Sequence, residues 1–197
     1  MHLINIDMKF IEKLNLNVDI DQAKQDLSTI LSLCPWPERT VVDGQIYPAN
    51  QLGLTHRPNT ANPWIDAGGS LVDPKTGTVY GKESDFSVLN PQVPVYTKQI
   101  LDQLAMHEGV SFGRIRFMRL MPKTGLTIHA DSEARYHLVY ETNKGALFGH
   151  YTGEDPEVAK CYHIPADGHF YKVDTRLPHF VYNGGWEPRV HLVICEA

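Results

Sequence analysis

The sequence predicts an α+β chain that is mainly β, with two helices ahead of a run of short strands. Apolar residues recur at helical spacing in two early segments. After Gly109, aromatic and β-branched runs alternate with turn signals. No repeat, low-complexity tract or charge block marks a second domain. Regularly spaced short strands with such turns build a β-sandwich or barrel, jelly rolls and cupins included. Helices first and strands after give a double-stranded β-helix (jelly-roll) core with N-terminal helices packed on it.

The first helix runs from Asp19 to about Leu33: Ile20, Ala23, Leu27, Ile30 and Leu31 share one face, and Asp19 or Asp21 can cap its start. The second runs from about Val93 to His107 on Val95, Ile100, Leu101, Leu104 and Ala105, with Gly109 as its stop. Between them, residues 35–91 are rich in Pro, Gly, Asn and Asp, with only short candidate strands such as Thr40 to Val42 and Leu71 to Tyr80. Irregular backbone of that length is often a lid or a binding loop. Its most polar fragment, Leu54-Thr55-His56-Arg57-Pro58-Asn59, reads either as a substrate contact or as an ordinary surface turn.

Beyond Gly109, strands are expected at Arg114 to Leu120, Leu126 to Ala130, Tyr136 to Glu141, Cys161 to Ile164, His169 to Val173, Phe180 to Tyr182 and Val190 to Cys195. The 197 residues then form one domain, with 1–110 its helical and irregular part and 111–197 its jelly-roll core.

A formal net charge of -5 argues against a nucleic-acid partner, whose binders show a basic face. Arg114, Arg116 and Arg119 read as solvated charges on a half-exposed strand rather than as a patch for an anion. Cys34, Cys161 and Cys195 are too few and scattered for a disulfide framework or thiolate zinc, and suit reduced thiols in a cytoplasmic protein. The opening MHLINIDMKF lacks a secretory pattern. Nothing approaches the roughly 18–20 apolar residues that span a bilayer, so a soluble protein with no membrane partner is expected.

The chemistry concentrates near the C-terminus. His129 and Asp131 lie two apart where a strand meets a turn. In extended backbone, i and i+2 face the same side roughly 6.6 Å apart, close enough to converge on one ion. His179, after Pro178 and before another strand, can supply a third ligand. Two imidazoles and a carboxylate with open positions form the facial triad of non-haem Fe(II) oxygenases, though zinc and manganese also accept such donors. Arg189 follows His179 by ten residues and heads the apolar run Val190 to Ile194. A buried guanidinium is costly without an anion, and a dicarboxylate would supply one through a bidentate pair. Arg135 and His137 repeat the i, i+2 spacing and can receive a second carboxylate.

A plainer account makes His129 and Asp131 a hydrogen-bonded turn and His179 a satisfied core histidine. Trp36, Trp64 and Trp186 read as core or rim aromatics, and His150, His163 and His169 as surface or core histidines. Tyr136 and Tyr182 either flank the site or point away from it.

At His129-Ala130-Asp131, Arg135-Tyr136-His137, Asp174 to His179 and Arg189 to Leu192, the chain resembles the aspartyl/asparaginyl β-hydroxylase-like family of Fe(II)- and 2-oxoglutarate-dependent oxygenases, over about Arg119 to Glu196. The resemblance implies that His129 and His179 bind iron, with Asp131 supplying a carboxylate that some members lack. It implies that Arg189 pairs with the distal carboxylate of 2-oxoglutarate, and that Arg135 and His137 lie near its chelating end. His191 stands where related oxygenases often carry Ser or Thr. Hydroxylation of an amino acid, peptide or small molecule would consume O2 and release succinate and CO2. The membrane anchor and helical-repeat region of the vertebrate hydroxylases have no counterpart in these residues, so their protein substrate is not carried over. Two rival functions stay open. A cupin-like metalloenzyme that does without 2-oxoglutarate has no use for a buried Arg189. A non-catalytic carboxylate-binding module need not keep a redox-competent triad.

Overall fold

In the computed structural model, which describes residues 10–42, 44–73, 75–151 and 159–197, the chain is mainly β with two helices. Helix α1 spans Ile20–Leu33, and the Asp19 carboxylate caps it by accepting from the backbone N–H groups of Asp21 and Gln22 at 3.0 Å. Helix α2 spans Val95–Glu108 and ends at Gly109, which takes the left-handed φ of 68°. Pro94 provides no side-chain cap at its start. Asp26 of α1 does so instead, its carboxylate accepting from the backbone N–H of Thr97 at 2.8 Å and from its hydroxyl at 2.7 Å. One buried carboxylate thereby ties the two helices together and complements the dipole of the second.

The strands are β1 (Ile11–Asn17), β2 (Thr40–Val42), β3 (Gln45–Tyr47), β4 (Gln51–Gly53), β5 (Thr55–His56), β6 (Val88–Leu89), β7 (Phe112–Leu120), β8 (Thr124–His129), β9 (Arg135–Glu141), β10 (Ala146–Tyr151), β11 (Ala159–Tyr162), β12 (His169–Val173), β13 (His179–Asn183) and β14 (Arg189–Glu196). A six-stranded sheet runs β1-β12-β9-β14-β7-β4 and a four-stranded sheet runs β11-β10-β13-β8, every neighbouring pair antiparallel. From β7 onward the chain shuttles between the two: β7, β9, β12 and β14 lie in the large sheet, and β8, β10, β11 and β13 in the small one.

Side-chain alternation gives the large sheet two different faces. Ile115 and Phe117 of β7, Tyr136, Leu138 and Tyr140 of β9, and Val190, Leu192 and Ile194 of β14 pack under the helices with Leu27, Ile30, Ile100 and Leu104. The opposite face turns toward the small sheet. Val139, Tyr171 and Val173 there meet Phe148 and Val181 in a second apolar cluster. That same inner face carries Arg114, Arg116, Arg135, His137, Arg189 and His191, all buried or nearly so. This inner face thus lines up four guanidiniums and two imidazoles between two apolar layers.

Several expectations are corrected. Arg114 and Arg116 are not solvated: each is buried, at 2% and 3% exposure, because Glu83 pairs with the first while the carbonyl groups of Gly69 and Ala67 accept from Arg114 and Arg116. Arg119 is half-buried, bonded to Asn50 and lying over Trp36. Leu71 to Tyr80 is no strand; its pairing among the described residues is one isolated bridge between Val72 and Val79, because the Asp73 carboxylate accepts from the backbone of Lys75 and Thr76 and closes a tight turn. Strands β1, β3, β4, β5, β6 and β10 were not expected. Most of the opening decapeptide lies outside the described residues. No helix among the described residues is long and apolar enough to cross a membrane.

Candidate active site

Strand β8 ends at His129 and β13 begins at His179, and their register sets the two residues opposite each other. The imidazole centroids are 4.3 Å apart. Asp131 lies two residues beyond the end of β8, its backbone N–H held by the carbonyl of Thr175 at 2.8 Å. The candidate ligand atoms of His129, Asp131 and His179 all lie within 4.8 Å of one another.

The hydrogen bonds decide how these groups face. Nδ1 of His129 lies 2.7 Å from the carbonyl oxygen of Thr127, and Nδ1 of His179 lies 2.9 Å from that of Leu177. A carbonyl only accepts, so each Nδ1 carries the proton and each Nε2 presents a lone pair. Burial, together with the neighbouring His129, draws the His179 pKa below its ordinary value despite opposing contributions from the Leu177 carbonyl and Asp131, so the metal-binding neutral form is favoured. Oδ1 of Asp131 is ion-paired with Nη2 of Arg135 at 2.7 Å. Oδ2 is buried, has no hydrogen-bond partner among the described residues, and stands 3.7 Å from Nε2 of His179. A buried carboxylate oxygen left unpaired beside two imidazole lone pairs is a donor set that a divalent cation would satisfy.

Deeper between the sheets, the Arg189 guanidinium is 5% exposed and donates to Nδ1 of His191 at 2.8 Å, with Phe148 beneath it at 5.0 Å. Among the described residues no carboxylate pairs with it, and burial draws its pKa down to about 9. Nδ1 of His191 lies 3.3 Å from Nδ1 of His137. Because a guanidinium only donates, Nδ1 of His191 accepts; His137 can then donate through its own Nδ1, leaving Nε2 as a lone pair. Burial first, and then Arg189, hold both rings well below their ordinary pKa and hence neutral.

Met118, Leu126, Phe148, Val181 and Val193 wall one cavity with His129, Asp131, Arg135, His137, His179 and Arg189. The six polar residues singled out in the sequence therefore meet in one place, while His191 contributes no wall and supports Arg189 from the side. The fragment around His56 does not line it. Thr55 is bonded to Gly113 and Ile115 of β7, and Arg57 pairs with buried Asp66. Tyr136 faces the helices, and Tyr182 is largely exposed. Phe148 and Glu83 were missed, and Thr175, although within the run Asp174 to His179, was given no role. Phe148 alone had a local signal, the apolar run after Asn143-Lys144-Gly145.

The family model described as aspartyl/asparaginyl beta-hydroxylase matches residues 75–195, a span that includes every residue of this site. No curated protein matches. Among solved structures, an oxidoreductase of the 2OG-Fe(II) oxygenase family from Burkholderia pseudomallei is similar at a TM-score of 0.57 and 13% identity, over 98% of this chain and 87% of that one. AviO1 from Streptomyces viridochromogenes Tue57 is similar at 0.54 and 11%, over 93% and 87%. At these identities the likeness is one of fold.

Proposed function

Because this chain belongs to the aspartyl/asparaginyl β-hydroxylase family, we propose that it is an Fe(II)- and 2-oxoglutarate-dependent oxygenase that hydroxylates an amino-acid, peptide or small-molecule substrate. The observation that carries this is the pairing, in one cavity, of a ligand set that includes a buried Asp131 oxygen with a buried Arg189. Among the described residues the oxygen has no hydrogen-bond partner and the guanidinium no partner of opposite charge. We read β7 to β14 as a double-stranded β-helix in a single domain, with the described residues before it covering and bracing it, in a cytoplasmic protein. Iron with 2-oxoglutarate and O2 would supply the oxidising power, yielding succinate, CO2 and a hydroxylated product.

The chain's own residues prepare the site. His129, Asp131 and His179 would hold the metal, the imidazoles through Nε2 because Nδ1 of each is committed to a carbonyl. Arg189 would take the distal carboxylate of 2-oxoglutarate, with Phe148 beneath its guanidinium and His191 beside it. As Arg189 turns to that anion it releases Nδ1 of His191. His137 would stay beside the chelating end, its ring held through Nδ1 by Nδ1 of His191. Arg135 would face the same end while keeping Oδ1 of Asp131. Met118, Leu126 and Val193 line the cavity with apolar surface that excludes water. An enzyme that did without 2-oxoglutarate would leave Arg189 with no anion.

The test is succinate release from 2-oxoglutarate, assayed with Fe(II) and pools of amino acids and peptides. Turnover should require both Fe(II) and 2-oxoglutarate. Substrate oxidation that proceeds without 2-oxoglutarate would remove this function.

A further inference from the structure

Glu83 belongs to the irregular stretch before α2, in a single 3-10 turn spanning Glu83–Asp85. It nevertheless reaches the inner face of the large sheet. Its Oε2 lies 2.6 Å from Nε of Arg114, and its Oε1 accepts from Nη2 of Arg114 at 2.8 Å. The same Oε1 accepts from Nη2 of Arg135 at 3.3 Å. Arg114 is on β7 and Arg135 on β9, the two strands that flank β14, so the carboxylate bridges across the central strand. Gly113 lets it approach: a Cβ there would lie 2.2 Å from the carbonyl oxygen of Glu83. Although burial works to raise its pKa, Arg114, Arg116 and Arg135 hold Glu83 below the usual carboxylate range, so it is an anion.

The same Nη2 of Arg135 that meets Glu83 also holds Oδ1 of Asp131 at 2.7 Å. A continuous run of charge thus extends Asp131–Arg135–Glu83–Arg114. Three buried guanidiniums crowd this corner, and Arg116 has only the Ala67 carbonyl as a hydrogen-bond partner among the described residues. Remove Glu83, and Asp131 becomes the one carboxylate paired with these cations among the described residues. Arg114 and Arg135 would then compete for it and turn Oδ2 away from the imidazoles.

We propose that Glu83 is a positioning residue for the candidate metal ligand Asp131, acting through Arg135. The proposal rests on Asp131 being a ligand. It makes the irregular N-terminal stretch part of the metal site, since a residue far from the motifs decides which oxygen of Asp131 is free. Its contribution falls in the range of groups that orient metal ligands, whose loss weakens metal affinity about 10- to 100-fold.

The test titrates Co(II) into the wild-type chain and Glu83→Gln under anaerobic conditions, following visible absorption, with thermal melting in parallel. Glu83→Gln should bind Co(II) about tenfold more weakly. In an Arg135→Met background the same change should have no further effect. A role confined to packing would lower the melting temperature and leave Co(II) affinity unchanged. Wild-type affinity in Glu83→Gln, or an undiminished loss in the Arg135→Met background, overturns the proposal. If Glu83→Gln fails to fold, Glu83→Asp, which keeps the anion but is too short to span both arginines, is titrated instead. About tenfold weaker binding supports the proposal, and wild-type affinity overturns it. A wild-type chain that binds no Co(II), or whose binding survives His179→Ala, sinks the metal assignment and this inference with it. Binding lost in His179→Ala keeps the assignment and leaves Glu83→Gln to decide.

Discussion

The Arg189 guanidinium donates to Nδ1 of His191 at 2.8 Å, so this buried cation rests on a neutral imidazole. An uncompensated charge between two sheets is stabilised strongly by an incoming dianion. Arg189→Ala should therefore weaken 2-oxoglutarate binding about 100-fold, roughly 2.7 kcal/mol, while leaving metal affinity near wild type. Arg189→Lys should recover only part, because an ammonium cannot present the planar fork. Equilibrium titration of the co-substrate checks both. An unchanged apparent affinity in Arg189→Ala would remove the assignment.

The three candidate ligands predict a linkage between metal and stability. Saturating Co(II) at about 100 times its dissociation constant should stabilise the wild-type chain by about 2.7 kcal/mol. His179→Ala and Asp131→Ala should lose that increment, since each removes a donor whose neighbours are fixed by Thr127, Leu177 and Arg135. Thermal or urea denaturation with and without the ion measures it. Retention of the full increment in His179→Ala would show that the ion binds elsewhere.

The fold is legible in the sequence where periodicity is strong. Both helices and seven late strands appear within a few residues of their expected places, because local spacing and turn residues specify them. Strand β10 escaped because Gly149 interrupts its pattern; the glycine is required, since a Cβ there would lie 2.2 Å from the Phe180 ring. The pairing of ligands and cations was legible because strand ends carry His129, His179 and Arg189. Glu83 was not, since its partners come from strands close in space and distant along the chain. The same cause defeated the reading of Arg114 and Arg116 as solvated: exposure depends on which loop covers a strand.

His137 and His191 make stability depend on pH. Burial, then Arg189, depress both pKa values in the folded chain. Unfolded, each takes up a proton as pH falls through about 6.5. The unfolded state then binds more protons, so their contribution is present above about pH 6.5 and is lost as pH falls below it. The slope from the two is about 2.7 kcal/mol per pH unit once both are protonated in the unfolded chain. Urea midpoints at pH 7 and pH 5.5 should shift less in His137→Gln/His191→Gln. An equal shift would assign the dependence to other groups.

The helical layer offers a check independent of the site. Asp26→Ala strips the start of α2 of its carboxylate cap, leaving the backbone N–H of Thr97 and its hydroxyl unpaired and buried. Hydrogen bonds to a charged acceptor, together with the desolvation left behind, put the loss at about 2–3 kcal/mol in urea unfolding. Asp19→Ala, which removes an exposed cap, should cost about 1 kcal/mol. Equal losses would mean that Asp26 does not hold the two helices together.

The most direct measurement is an anaerobic titration of the wild-type chain with Fe(II) and then 2-oxoglutarate, following the weak visible charge-transfer absorption of the co-substrate on the metal. The metal and co-substrate assignment requires that the band grow to saturation at one iron per chain, be absent in His179→Ala, and in Arg189→Ala need far more 2-oxoglutarate. No band in the wild-type chain, or an undiminished band in His179→Ala, would contradict it.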